Sequence, residues 1–160
     1  MKLHLTIAII LIMMACTSQN LLASGPVIFI NPGVKFGYSF GEKGGFTYGV
    51  QLSITSTFSS SFSPFWGGIV FNAYKCNGRK SVHFGAQASY WGFGMEAGPT
   101  YLYENGSSHS GYSIIPFGGL IIIPYYNYTK FETDSLTSHE VGSYIKIPGN
   151  VFGQKISLVH

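Results

Sequence analysis

The chain has 160 residues, enough for one domain and a targeting segment, and only 9% of them are charged, where ordinary globular proteins carry about 25%. Aromatic residues make up 16% and glycine accounts for 21 positions, so something other than charge must reconcile the surface with its surroundings. The net charge of +3 comes from nine basic and six acidic residues scattered without a basic run, and nucleic acid is therefore not an expected partner.

Met1-Lys2 gives a short positive start, and Leu5 to Ala15 is an uncharged, almost wholly apolar run of signal-peptide length. It stops at Thr17-Ser18-Gln19-Asn20, short of the roughly 20 apolar residues that a bilayer-spanning helix needs. An export signal over 1–24 and a single domain over 25–160 are the expected organisation, with cleavage between about Ala15 and Ser24. Met13-Met14-Ala15-Cys16 also resembles a lipoprotein box, which leaves two readings of Cys16: a lipidation site, or a cysteine of the apolar run. With Cys16 removed, Cys76 is the one remaining thiol and no intrachain disulfide forms.

From Val34 the sequence alternates with period two. Val34, Phe36, Tyr38 and Phe40 fall on one face and Lys35, Gly37, Ser39 and Gly41 on the other, the pattern of a strand. Glu42-Lys43-Gly44-Gly45 reads as a turn, after which Phe46, Tyr48, Val50, Leu52 and Ile54 alternate with Thr47, Gly49, Gln51, Ser53 and Thr55 to complete a long hairpin. Trp66 to Lys75 is apolar on both sides and closes at Cys76-Asn77-Gly78-Arg79-Lys80, a turn. Val82 to Tyr90 alternates with Ser81, His83, Gly85, Gln87 and Ser89, and Phe93 to Tyr103 alternates with Gly94, Glu96, Gly98, Thr100 and Glu104. Asn105 to Gly111 reads as a polar loop holding His109 and Ser110, and Asp134 to Glu140 as a second polar connection holding His139. Gly111 to Phe131, broken by Pro116, Gly118-Gly119 and Pro124, is either one bent strand or a hairpin at the glycines. Glu140–Ile147 and Val151–Val159 give two last strands around Pro148-Gly149-Asn150. The fold class expected is all-β, an antiparallel up-and-down barrel of about eight strands, with nine if Gly118-Gly119 turns.

A soluble barrel buries its apolar face and covers the other with charge. Across the four clean strands the other face carries Lys35, then no charge, then His83, then Glu96 and Glu104. Such a face suits a narrow packed lumen, and the Phe-, Tyr- and Val-rich face suits lipid. Strands of ten or more residues also match the 9–11 that cross a bilayer when tilted. The glycines at Gly37, Gly49, Gly85, Gly94, Gly98 and Gly142 fall inward in this register and read as room in a tight lumen, not as phosphate loops.

With this pattern and size the chain resembles the small outer-membrane barrels of the OmpA/OmpX type, which have eight strands and a signal peptide. Gly153, Ile156 and Leu158 match the glycine and alternating hydrophobics of that family's last-strand assembly signal, while Val159-His160 departs from its usual terminal aromatic. The resemblance implies an outer-membrane location, membrane lipid and the barrel-assembly machinery as partners, a monomer, and a structural or surface-interacting role without catalysis. Some such barrels modify lipid A with Ser, His and an acid, and His109-Ser110 and His139-Glu140 supply those residue types, but the deacylase motif His-x-Ser-Asn is absent from this sequence. A third alternative is a soluble exported barrel holding an apolar ligand as lipocalins do. No catalytic, cofactor-binding or metal residues are assigned: the histidines beyond the leader lack paired ligand spacing. His83 and Glu96 are expected to join a lumenal network with Lys35 or Gln51, because buried polar groups need partners.

Overall fold

A computed structural model describes residues 28–41, 44–57, 65–119, 121–132, 136–147 and 149–152, the last four as backbone. The expected leader with Cys16, and Gly153, Ile156 and Leu158, lie outside these residues. Strands β1 (Ile28–Phe40), β2 (Gly45–Thr57), β3 (Phe65–Cys76), β4 (Arg79–Tyr90), β5 (Phe93–Glu104), β6 (Ser107–Gly118), β7 (Ile122–Phe131) and β8 (Thr137–Lys146) each pair antiparallel with the next, and β8 returns to β1. The sheet closes into the expected meander barrel.

A last segment, β9 (Gly149–Phe152), also lies against β1. Phe40 to Gly33 face His139 to Lys146, and Ile30 and Phe29 face Gly149 and Asn150 in the same register. β9 therefore prolongs β8 along one edge of β1, and the wall has eight staves. The expectation of two separate last strands around Pro148-Gly149-Asn150 is corrected as far as Phe152, because β1 is long enough to pair with both pieces. Following paired residues once around the wall leads from Ile30 through Ile54, Ile69, Ala86, Ala97, Ile114, Tyr128 and His139 to Phe40, a stagger of ten residues on β1. With a rise of about 3.3 Å per residue and about 4.7 Å between strands, that stagger tilts the strands about 40° from the barrel axis.

Three connections are two-residue turns with both residues in the left-handed region: Asn77-Gly78 (φ 51° and 83°), Trp91-Gly92 (50° and 80°) and Asn105-Gly106 (49° and 82°). This is the primed geometry that matches strand twist. Asn105-Gly106 turns the chain by itself, so His109 and Ser110 lie on β6, and His139 lies on β8; the two expected loops are corrected to strand over 107–111 and 137–140, while 134–135 lie outside the described residues. Gly118-Gly119 ends β6, and Gly111–Phe131 is a hairpin and not one bent strand.

Val34, Phe36, Tyr38, Phe40, Phe46, Tyr48, Val50, Leu52 and Ile54 all face outward, between 38% and 60% exposed. Lys35, Ser39, Thr47, Gln51, Ser53 and Thr55 are buried inside. The interior glycines make room for large rings. Gly37 pairs directly with Gly142, and a Cβ at Gly142 lies 2.2 Å from the Phe36 carbonyl oxygen and 2.6 Å from the Tyr125 hydroxyl. Gly142→Val is expected to destabilise the barrel by about 1–3 kcal/mol through overpacking, read as a lower denaturant midpoint. An unchanged midpoint would show that Tyr125 does not occupy that space.

Candidate functional site

Among the described residues, alternation buries four charged side chains inside the wall: Lys35 from β1, Glu96 from β5, and Glu140 and Lys146 from β8. They form two ion pairs. Lys35 Nζ lies 3.1 Å from Glu140, and Lys146 Nζ lies 3.6 Å from Glu96. Glu96 also accepts hydrogen bonds from Gln51 Nε2 at 2.9 Å and Asn72 Nδ2 at 3.3 Å, and Glu140 accepts one from the Tyr125 hydroxyl. Each carboxylate thus meets an ammonium and at least one neutral donor, the condition under which buried charge is tolerated.

Aromatic rings fill the space around the pairs. Lys35 Nζ sits 3.6 Å from the centroid of the Tyr74 ring, a cation–π contact. Tyr125 and Tyr144 stack with centroids 4.3 Å apart, and Lys146 Nζ lies 5.2 Å from the Tyr144 ring. A second chain of polar contacts runs from His83 Nδ1 to Thr100 Oγ1 (2.9 Å), on to Ser113, and from Ser113 Oγ to Thr129 Oγ1 (2.7 Å). The expected partnership of Glu96 with Gln51 is present, whereas Lys35 pairs with Glu140 and His83 with Thr100. Sequence reasoning missed Glu140, Tyr144 and Lys146 as lumenal groups, although they share the phase of Gly142, which was assigned inward.

This packed layer separates two cavities that share no lining residue. One, of about 680 Å³, opens where the turns at Asn77-Gly78 and Asn105-Gly106 lie, and is lined by Ser39, Tyr74, Arg79, Ser81, Thr129 and Glu140 among others. The other, of about 390 Å³, opens at the Trp91-Gly92 end. Along β1 the order is Asn31 in the second cavity, Lys35 in the plug and Ser39 in the first.

Outside, the described charges at outward wall positions are Lys75, Lys80 and Lys130, all within the last few residues of their strands at the first cavity's end. Tyr48, Tyr101, Tyr103 and Tyr112 ring the wall on that side; Phe65, Tyr90 and Phe93 ring it at the other. Between them lie Val34, Val50, Leu52, Ile69, Ile114 and Val141.

The candidate catalytic residues do not assemble into a triad among the described residues. His109 and Ser110 are neighbours on β6 and so point to opposite faces. The Ser110 hydroxyl donates to Glu132, and His139 Nδ1 lies 2.6 Å from the Tyr126 hydroxyl on the outer surface. The triad chemistry requires the serine hydroxyl on an imidazole; this one meets a carboxylate and no histidine. No cluster of His, Cys, Asp and Glu suited to a metal occurs among the described residues. Comparison with protein-family models, with curated proteins and with solved structures returned no match.

The ion pairs generate a double-mutant test. Glu140→Gln leaves the Lys35 ammonium buried without its counter-charge and is expected to cost about 3–5 kcal/mol. Adding Lys35→Met to Glu140→Gln should recover more than half of that loss in denaturant unfolding. Additive losses in the double variant would mean that the two side chains do not act as a pair.

Proposed function

We propose that the chain is a membrane-spanning barrel of a Gram-negative outer membrane, structural or surface-interacting and without catalytic activity. The observation that supports this most is the inversion of polarity: four charges and a polar network inside, and an outer wall uncharged between two aromatic girdles. A soluble barrel has the opposite arrangement, while lipid favours this one. The 10–13 residues of β1 to β8 cover the hydrocarbon thickness at a tilt of about 40°. On this reading residues 1–24 are the export signal, the protein reaches the membrane through the barrel-assembly machinery, and it is a monomer with lipid as its main partner.

The lumen supports an occluded barrel and not a porin, since an eight-stranded barrel is filled by its own side chains and here the filling is ion-paired. The connections at Asn77-Gly78 and Asn105-Gly106 are short, which directs surface recognition to the rims and cavities and away from long loops. The lipid A hydrolase alternative draws no support from Ser110, whose hydroxyl is engaged by Glu132. The lipocalin-like alternative loses the continuous apolar interior it needs, because charged and polar side chains occupy the middle of the barrel.

Fractionation of expressing cells tests the reading. The protein is expected in the outer-membrane fraction, released only by detergent, with faster gel mobility before boiling than after. Val50→Arg, at an outward position midway along β2, should destabilise the membrane-inserted barrel by about 2–4 kcal/mol. A folded monomer that stays in buffer without detergent would overturn the assignment.

A further inference from the structure

The cavity at the Trp91-Gly92 end has two unlike walls. Asn31, Ser53, Thr55 and Gln87 line the side formed by β1, β2 and β4; Phe117, Ile121 and Ile123 line the side formed by β6, β7 and the residue before β7, and Trp66 and Trp91 stand at the mouth. Ser53 is fully buried and its Oγ has no hydrogen-bond partner among the described residues, and the buried Gln87 Oε1 has none among them either. Lys146 also reaches this cavity, but its ammonium already faces Glu96. We propose that this cavity binds an uncharged single-chain amphiphile, its hydroxyl-bearing head against Ser53 and Gln87 and its alkyl chain running past Phe117, Ile121 and Ile123 to the tryptophans.

The depth of the groups sets the direction of the chain. Ser53 and Gln87 lie several residues inside the ends of β2 and β4, whereas Trp66 is the second residue of β3 and Trp91 lies in the turn beyond β4. The head therefore seats deep and the chain leads outward. Unpaired buried donors and acceptors are costly, and a hydroxyl that both donates and accepts satisfies Ser53 and Gln87 together. Charge selects against a carboxylate. The buried lysines and glutamates already balance two against two, so an anionic head adds an uncompensated charge to a dry interior.

The backbone at Trp91 points the same way. Trp91 sits at φ 50°, in a turn position normally given to Asn or Gly because a bulky side chain there is strained. Asn fills the equivalent place in the turns at Asn77 and Asn105. The strained choice keeps an indole at the cavity mouth, and such outliers concentrate where a ligand is clamped.

The chain's two tryptophans are Trp66 and Trp91, both at this cavity, so intrinsic fluorescence reports on it directly. The protein in phosphatidylcholine vesicles is titrated with 10-bromodecan-1-ol and, separately, with 10-bromodecanoate. Quenching by the alcohol is expected to saturate, to be reversed by unlabelled decan-1-ol, and to need less ligand than the carboxylate. Ser53→Phe, which fills the cavity from within, should abolish the saturable phase. Gln87→Leu, which removes one head-group partner, should raise the half-saturating concentration about tenfold. Trp91→Asn should weaken binding with Trp66 still reporting, and should leave the barrel as stable or more so. Quenching that rises linearly with membrane alcohol, equally in wild type and in Ser53→Phe or Gln87→Leu, would show a water-filled cavity only; tighter binding of the carboxylate would also overturn the proposal. The inference stands on the cavity and not on the membrane reading: a barrel that failed to enter vesicles is titrated in buffer with the same outcomes.

Discussion

Two lysine–glutamate pairs inside a narrow wall are the constraint on which the rest of this structure depends. Removing a charge from water is expensive, and only a partner at contact distance with further hydrogen bonds offsets that expense. Lys35 with Glu140, and Lys146 with Glu96, meet the condition because the paired strands β1 and β8 set the first pair side by side and β5 faces β8 across the lumen for the second, with Tyr125, Gln51 and Asn72 as extra donors. Register then follows. A slip of one residue in β8 sends Glu140 and Lys146 to the outer face and Val141 and Ile145 into the polar interior. The electrostatic arrangement thus specifies pairing as strongly as any apolar core, in a barrel whose largest buried side chains include Tyr144, Lys35, His83 and Glu96.

Glycine and tyrosine complete the same design. Gly37 and Gly142 face each other on β1 and β8 and leave a recess that the Tyr125 hydroxyl enters on its way to Glu140. Gly49 does the same for Tyr74, whose Cβ lies 2.5 Å from where a Cβ at Gly49 stands. A ring laid over a glycine fills the lumen and leaves the wall free to coil, the device by which small barrels close. The charges are held by rings, the rings are admitted by glycines, and the glycines alternate with the Phe, Tyr and Val residues that face outward. One period-two pattern carries all three.

That pattern is why so much was legible beforehand. The outward set from Val34 to Ile54 and the inward places of Lys35, Gln51, His83 and Glu96 follow from alternation alone, since strand geometry leaves no freedom once the phase is known. The partners were less legible: Lys35 meets Glu140 on the adjacent β8 and not Glu96, because which strand closes on β1, and with what stagger, is encoded by no single strand. Composition misled at Asn105 to Gly111. Its Ser and Gly read as a loop, but Asn105-Gly106 makes a complete turn and the strands zip up to it. Pro148-Gly149 misled in the other direction, since a boundary between two strands and a break within one stave share the same residues. The cavity at Trp66 and Trp91 had no local signature at all, being assembled from β1, β2, β3, β4, β6, β7 and β8.

The central claim is that the uncharged face meets lipid and the ion-paired face does not. Single spin labels placed at successive positions from Phe46 to Thr55, in a background lacking Cys16 and Cys76, measure it in reconstituted bilayers through collisions with oxygen and with a water-soluble nickel chelate. The expected result is a period-two oscillation, with oxygen access highest at Tyr48, Val50, Leu52 and Ile54 and nickel access low there. Nickel access at Val50 and Leu52 equal to that of a label in free solution, or oscillation in the opposite phase, would contradict the account.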